Sequence, residues 1–292
     1  MQALIITAYR DGAALLKNVT LLSKYFLCYI HIDKKSALNT PEYLAQLNQL
    51  EHVTAVSTYK INWGSYLHMM AIYDLLKAAY SESKEIDRFH IISGDDFPIR
   101  SYEEFVAFFA SEEHRRQNFI ELTDIRQMPA MQRRYDKFHF LHIFNYKSKN
   151  VFLQTIRKII QHTQYLIPFH RKVRFDYKGL VWASLSREGV AQIMEYMTPQ
   201  RIRTLKYCEI PEEFMVQNAL MTSPLADTVV TDNLRYDDWS GCKTGPRVLE
   251  IDDYEKLKAS SAFFARKIQA SAENPNAEAL YEKLFQDFVY TT

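Results

Sequence analysis

R-F-H-I-I-S-G-D-D-F-P-I-R, residues 88–100, is the stretch from which the fold can be read. Phe89, Ile91 and Ile92 make a short apolar run that fits a buried central strand bounded by turn residues. Ser93 and Gly94 end the run, Asp95 and Asp96 stand at its carboxyl tip, and Pro98 is expected to stop the ladder. Ligands of open α/β sheets collect beyond the carboxyl ends of the strands. The two acids therefore read either as contacts to a sugar, nucleotide or metal, or as caps of the turn and the next helix.

Toward the N-terminus the pattern is β-α-β. Ala3 to Ala8 reads as a strand, Gly12 to Leu22 as a helix with Leu15, Leu16, Val19 and Leu22 on its inner face, and Leu27 to Ile32 as a second strand. Such a crossover implies a parallel sheet. No G-x-G-x-x-G follows the first strand, which argues against a nicotinamide or flavin dinucleotide. Asp33, at the tip of the second strand, stands where Rossmann-like folds read a ribose, and is equally suited to cap a turn. Val53 to Val56 is a third strand. After Asn62-Trp63-Gly64-Ser65, Ser65 is placed to cap a largely apolar helix running to about Tyr80.

Toward the C-terminus, Ser101 and Glu104 form a capping box for a helix over 102–110. Phe119 to Leu122 reads as a strand that delivers Asp124 and Arg126 to a loop. From Arg126 to Lys178 the chain is basic and aromatic. No recognisable nucleic-acid module accompanies it, so it reads as a helical insertion with a solvated charged face, or as a basic amphipathic helix (Leu153 to Ile167) touching a membrane surface. Leu180 to Leu185, with Trp182, reads as a strand, and Ser186 caps a helix to about Met197. Pro211 suits the first turn of a further helix, with Glu212 and Glu213 in the same turn. There the helix dipole favours an ionised carboxylate, as a general base requires, although acids in a first turn are also ordinary helix stabilisers. Near the end come Gly245-Pro246-Arg247, a helix from about Tyr254 to Leu257, and Phe263-Phe264-Ala265-Arg266-Lys267. Cations so presented could neutralise a diphosphate.

The composition, 47% hydrophobic and 24% charged over 292 residues, is globular. A net charge of +1 supplies no global field for nucleic acid or an anionic membrane. Cys28, Cys208 and Cys242 are scattered and form no C-x-x-C, so neither a zinc site nor a disulfide framework is indicated. No run approaches the roughly 18 apolar residues of a membrane span. The N-terminus reads as a strand and not as a signal peptide, and a soluble cytoplasmic protein is expected.

In order along the chain, H-I-D-K-K-S (31–36), W-G-S (63–65), I-S-G-D-D-F-P-I (92–99), L-V-W-A-S-L-S-R-E (180–188), P-E-E-F (211–214), R-Y-D-D-W-S (235–240) and F-F-A-R-K-I (263–268) resemble the core-2/I-branching β-1,6-N-acetylglucosaminyltransferase family, which also contains the peptide O-xylosyltransferases. The match is weakest between about Gln132 and Tyr177.

The resemblance implies a single Rossmann-like glycosyltransferase domain of the GT-A type, an α/β fold with a mainly parallel central sheet and a helical insertion. Residues 1–125 would form the nucleotide-sugar half, 126–178 the basic aromatic insertion, and 179–292 the acceptor and catalytic half with a phosphate-binding C-terminal segment. It further implies an inverting transferase that needs no divalent metal and no other cofactor, with a UDP-sugar donor and a glycan acceptor as partners. Glu213 matches the family's base; this chain has Glu212-Glu213 where the family usually has Asp-Glu, so Glu212 stays a rival and an acceptor contact. Lys267 matches a donor-diphosphate residue and Arg247 a second. Arg266 competes with Lys267, because the two neighbours point differently and only one is expected to face the site. Asp33 matches the nucleotide contact, Asp96 is the better donor-side acid of its pair, and Asp124 and Trp182 fall on the acceptor side. The disulfide cysteines and membrane anchor of secreted members are missing, which suits a bacterial-type cytoplasmic enzyme with a different acceptor.

Overall fold

The computed structural model describes residues 1–145, 148–166, 171–241, 245–269 and 273–291. Cys242, and Ile167 at the end of the expected amphipathic helix, lie outside the described residues. Twelve strands are described: β1 (Gln2–Ala8), β2 (Leu27–Ile32), β3 (Val53–Val56), β4 (Arg88–Ser93), β5 (Asp96–Pro98), β6 (Asn118–Ile120), β7 (Thr123–Asp124), β8 (Tyr177–Lys178), β9 (Ala183–Ser186), β10 (Val229–Val230), β11 (Arg235–Asp237) and β12 (Phe264–Arg266).

Seven of them make the main sheet in the order β10-β6-β9-β4-β1-β2-β3. β4, β1, β2 and β3 pair in parallel, as do β6 and β10, and β9 alone runs antiparallel between β4 and β6. The expected mainly parallel α/β sheet is therefore present, with the stretch 88–93 at its centre. Alternate residues of β1 enter two separate cores, Leu4, Ile6 and Ala8 on one face and Ala3 and Ile5 on the other. This is the period-two signature of a strand covered on both sides. One face is covered by the helices Gly12–Leu22, Tyr102–Ala110 and Pro275–Thr291, the other by Tyr66–Glu82, Arg187–Tyr196 and Glu212–Met221.

Most polar groups inside this sheet find partners, although Tyr29 Oη, His31 Nδ1 and Arg88 Nε are buried without one. His90 is fully buried, meeting Ser184 Oγ at 2.8 Å through Nδ1 and Gln2 Oε1 at 2.9 Å through Nε2, and so ties β4 to both neighbours. Burial holds its pKa well below the ordinary histidine value. Arg88 donates to the carbonyls of Gln117, His114 and Arg115 and stacks on Phe109.

Four local expectations need correction. Pro98 does not end pairing after the decisive stretch. Asp96–Pro98 leaves the main sheet and pairs antiparallel with β12 in a small sheet, β11-β12-β5, where Pro98 can sit because β5 is an edge. Ser65 stands at the N-cap of the helix Tyr66–Glu82 but makes no side-chain cap, its Oγ being buried without a partner. Trp182 precedes the strand that was expected to contain it. Pro211 is the N-cap residue of the helix Glu212–Met221 and lies just outside its first turn. The capping box of Ser101 and Glu104, by contrast, forms with both reciprocal bonds.

Of the glycines, Gly179 has the least room for a side chain. A Cβ there would lie 1.8 Å from the carbonyl oxygen of Glu121 and 2.6 Å from its carbon, both backbone atoms that cannot swing aside. The Gly179 amide meanwhile donates to the carbonyl of Glu213 at 3.0 Å. Gly179→Ala is expected to force these two segments apart at a cost of about 1–3 kcal/mol, as overpacking does. A urea midpoint equal to wild type would show that the backbone yields without cost.

Candidate active site

A cleft of about 370 Å³ opens beyond the carboxyl ends of β1, β2 and β4. Three features of the topology furnish its walls. Tip residues of the parallel strands (Thr7, Ala8, Asp33, Ser93, Asp95) form the floor. Because β9 is antiparallel, it begins where the others end, and this brings Trp182 to the same edge. The helices Tyr66–Glu82 and Glu212–Met221 start at this edge and bring His68, Glu212 and Glu213. The end of β12 adds Arg266 and Lys267, with Trp239, Gly245 and Pro246 beside them.

The two adjacent glutamates have different surroundings. Glu213 Oε2 accepts from Arg134 at 2.8 Å and lies 3.6 Å from Lys178 Nζ, while Oε1 has no partner among the described residues. Glu212 Oε1 lies 3.0 Å from His68 Nδ1, and His68 Nε2 lies 3.2 Å from Thr7 Oγ1. Its Oε2 is buried without a hydrogen-bond partner. Both glutamates line the cleft. The turn before them is constrained: Ile210 has φ 50°, a left-handed conformation that a β-branched residue avoids. It is held there by its own amide donating to Gly64 at 2.8 Å and by Arg134 donating to its carbonyl at 3.2 Å.

Asp33 lines the cleft with Oδ1 accepting from the amides of Lys35 and Ile61, at 3.0 and 3.1 Å. It thus caps its own turn while lining the cleft. His31, just before it, is buried and accepts from the amides of Thr58 and Tyr59, and burial pushes its pKa down to about 4.

Arg266 and Lys267 both line the cleft, so the expectation that only one could face it fails. Arg266 is the last residue of β12, its guanidinium carbon 4.2 Å from the centre of the Trp182 ring. It also pairs at 3.3 Å with Asp96, whose side chain is wholly buried. Asp96 accepts from the amide and hydroxyl of Ser93, and burial raises its pKa against the pull of Arg266. Asp96 is therefore beneath the floor, acting on the cleft through Arg266. Asp95 lines the cleft but is bound by Arg10, at 2.5 Å. The neighbouring carboxylates are thus engaged separately, and among the described residues no three His, Cys, Asp or Glu are grouped to hold a metal.

Two expected donor or acceptor residues lie elsewhere. Arg247 is not among the residues lining the cleft; it bridges Asp238 at 2.8 Å and Asp253 at 2.6 Å. These carboxylates raise its pKa further, and the guanidinium acts as a strut behind Lys267, whose amide and carbonyl meet the backbone of Arg247 and Leu249. Asp124 is exposed and bound by Arg126, which lowers its pKa to about 2. It pairs with Tyr177 in the ribbon β7-β8, one register position from Lys178, which touches Glu213. Asp124 therefore stands outside the cleft on the Glu213 side. The sequence reading missed His68 and passed over Arg134 and Lys178 as members of a charge run. The one available signal for His68 was its place in the first turn of a helix, three residues after W-G-S.

A cleft lined by cations and carboxylates beyond the carboxyl ends of parallel strands is where open α/β proteins bind their ligands. Comparison with known proteins narrows the class. The Core-2/I-Branching enzyme family matches residues 7–260. A xylosyltransferase of Ciona intestinalis is 24% identical over 96% of this chain and 33% of its own length. Xylosyltransferase 1 of Mus musculus is 26% identical over 83% of this chain and 26% of its own. The chain spans about a third or less of the length of these relatives. The solved structure of mouse xyloside xylosyltransferase 1, apo form, overlaps 90% of this chain and 96% of its own at a TM-score of 0.38 and 10% identity, which carries no residue correspondence. The chain belongs to the core-2/I-branching enzyme family of glycosyltransferases, and its mainly parallel sheet is the GT-A-type core.

Proposed function

We propose that the protein transfers a sugar from a UDP-sugar to a hydroxyl of a glycan acceptor, with inversion and without a divalent metal. N-acetylglucosamine is the first donor sugar to test, with xylose and other hexoses next; the xylosyltransferase relatives support including xylose. Synthesis of a surface polysaccharide or lipooligosaccharide is the process this chemistry would serve. The observation that carries the reading is that Glu213, with Oε1 unpaired, and the cations Arg266 and Lys267 line one cleft.

In this reading the acceptor oxygen attacks the anomeric carbon as Glu213 takes its proton. The bond from that carbon to the phosphate oxygen breaks on the opposite face, and the charge gathering on the leaving diphosphate is met by Lys267. One displacement inverts the anomeric centre. Asp33 would hold the nucleotide, Trp182 would offer a ring to a sugar, and Asp124 would touch the far end of a longer acceptor.

A panel of nucleotide sugars tests this directly, with binding and hydrolysis measured in EDTA and in Mn²⁺, and the product anomer read by NMR. Turnover of a UDP-sugar in EDTA with inversion is expected. Tight binding without any turnover would make the chain a saccharide- or nucleotide-binding protein, and activity in Mn²⁺ alone would return Asp95 to consideration as a metal ligand.

A further inference from the structure

The helix Val151–Leu166 turns a row of polar side chains toward the protein and leaves several large apolar ones outside. Gln154, Arg157, Gln161 and Gln164 recur at helical spacing along the stripe that faces the protein. Gln154 donates to the carbonyls of Asn145 and Ser148, and Gln164 both donates to and accepts from the Phe138 backbone. Arg157 donates to Gln154 and Gln161. With these polar side chains spent on the protein, large apolar ones reach the outer face. Val151, Phe152, Ile159 and Leu166 are exposed among Thr155, Lys158, His162 and Thr163, Phe152 by 71% and Ile159 by 56%, with Ile143 at 63%. Ile156 and Ile160 are half-buried. A soluble surface helix shows the opposite arrangement.

Charge identifies the occupant. Residues 137–175 carry eight Lys and Arg and no Asp or Glu, in a chain whose net charge is +1. Lys137 and Arg171 are buried, Arg157 is held by Gln154 and Gln161, and Arg174 pairs with Asp176. Lys149, Lys158 and Lys172 are exposed. Two copies meeting through this face would oppose like charges, whereas a bilayer of anionic lipids offers hydrocarbon to the apolar side chains and phosphate to the cations. We propose that Val151–Leu166 lies in the headgroup region of an anionic bilayer, with Phe152 and Ile159 inserted and Lys149 and Lys158 on the phosphates. Among the described residues no helix is long and apolar enough to cross a membrane, so this is contact at the surface. The stretch ahead of this helix is joined to the cleft wall, since Asn62 donates to the Leu141 carbonyl at 2.9 Å and its neighbours Ile61 and Trp63 line the cleft. The inference adds to the glycosyl-transfer reading the class of surface on which the acceptor is met. It is tested without donor or acceptor, so either can fail alone.

The full chain is sedimented with vesicles of phosphatidylcholine alone and of phosphatidylcholine mixed with phosphatidylglycerol. Binding to the mixed vesicles at least about tenfold stronger, and falling with salt, is expected. Phe152→Ser with Ile159→Ser should lower it about tenfold at an unchanged melting temperature. Lys149→Gln and Lys158→Gln should each lower it about fivefold. Equal binding to both vesicles, retention by the serine pair, or a dimer in sedimentation velocity that the serine pair disperses would each overturn the proposal, the last by making the face a self-interface.

Discussion

Glu213→Gln is expected to lower turnover by roughly 10² or more while leaving UDP affinity within about twofold. Glutamine keeps the shape and can still accept from Arg134, so the pocket survives and only the proton acceptor is removed. Glu212→Gln is the control. Its partner His68 can still meet an amide oxygen, so a loss of roughly tenfold or less is expected from the altered Thr7–His68–Glu212 chain. The reverse pattern, near-normal turnover for Glu213→Gln and collapse for Glu212→Gln, would move the base to the residue whose buried Oε2 has no partner.

Lys267→Ala is expected to weaken UDP binding ten- to a hundred-fold, because a charge-assisted contact to phosphate contributes about 1.5–3 kcal/mol. EDTA should change little. The three candidate cations separate by mechanism. Lys267 lines the cleft and has no ion pair among the described residues, so its removal should affect affinity with little effect on stability. Arg266→Ala would leave the buried Asp96 carboxylate uncompensated, and should lower affinity and melting temperature together, since breaking a buried pair typically costs about 3–5 kcal/mol. Arg247→Ala removes a strut between Asp238 and Asp253, and should loosen the segment around Lys267 without deleting a phosphate contact. Calorimetric titration of UDP into each variant, in EDTA and in Mn²⁺, decides. Normal binding by Lys267→Ala together with a strict metal requirement would sink the cationic clamp.

Much of the frame was legible because strand and helix signals there agree with their surroundings. The apolar runs of β1 and β4, the helix Gly12–Leu22 and the Ser101–Glu104 box are local patterns that burial then reinforces. The short strand β5 was not legible, because its partner β12 lies more than 160 residues away and a proline ends it. The same holds for the site. Asp33 and the two glutamates were marked by their positions at element ends and Trp182 by the family resemblance, and all four line the cleft. Which cations are free could not be read from the sequence: Arg247 and Lys267 look alike there, and only the fold gives Arg247 two carboxylates. His68 was hidden for a related reason, as its partners Thr7 and Glu212 are 61 and 144 residues distant.

The chain has three tryptophans, and Trp63, Trp182 and Trp239 all line the same cleft. The protein is therefore its own optical probe. Two of the indoles are wet, at 44% and 46% exposure, and Trp182 at 9% is packed beneath Arg266 and beside His68. Emission from the first two should move to shorter wavelength when a ligand displaces water around them, while Trp182 should respond chiefly to displacement of the guanidinium over its ring. Intrinsic fluorescence thus gives an unlabelled readout of cleft occupancy, and Trp63→Phe and Trp239→Phe would resolve which wall a given sugar nucleotide touches.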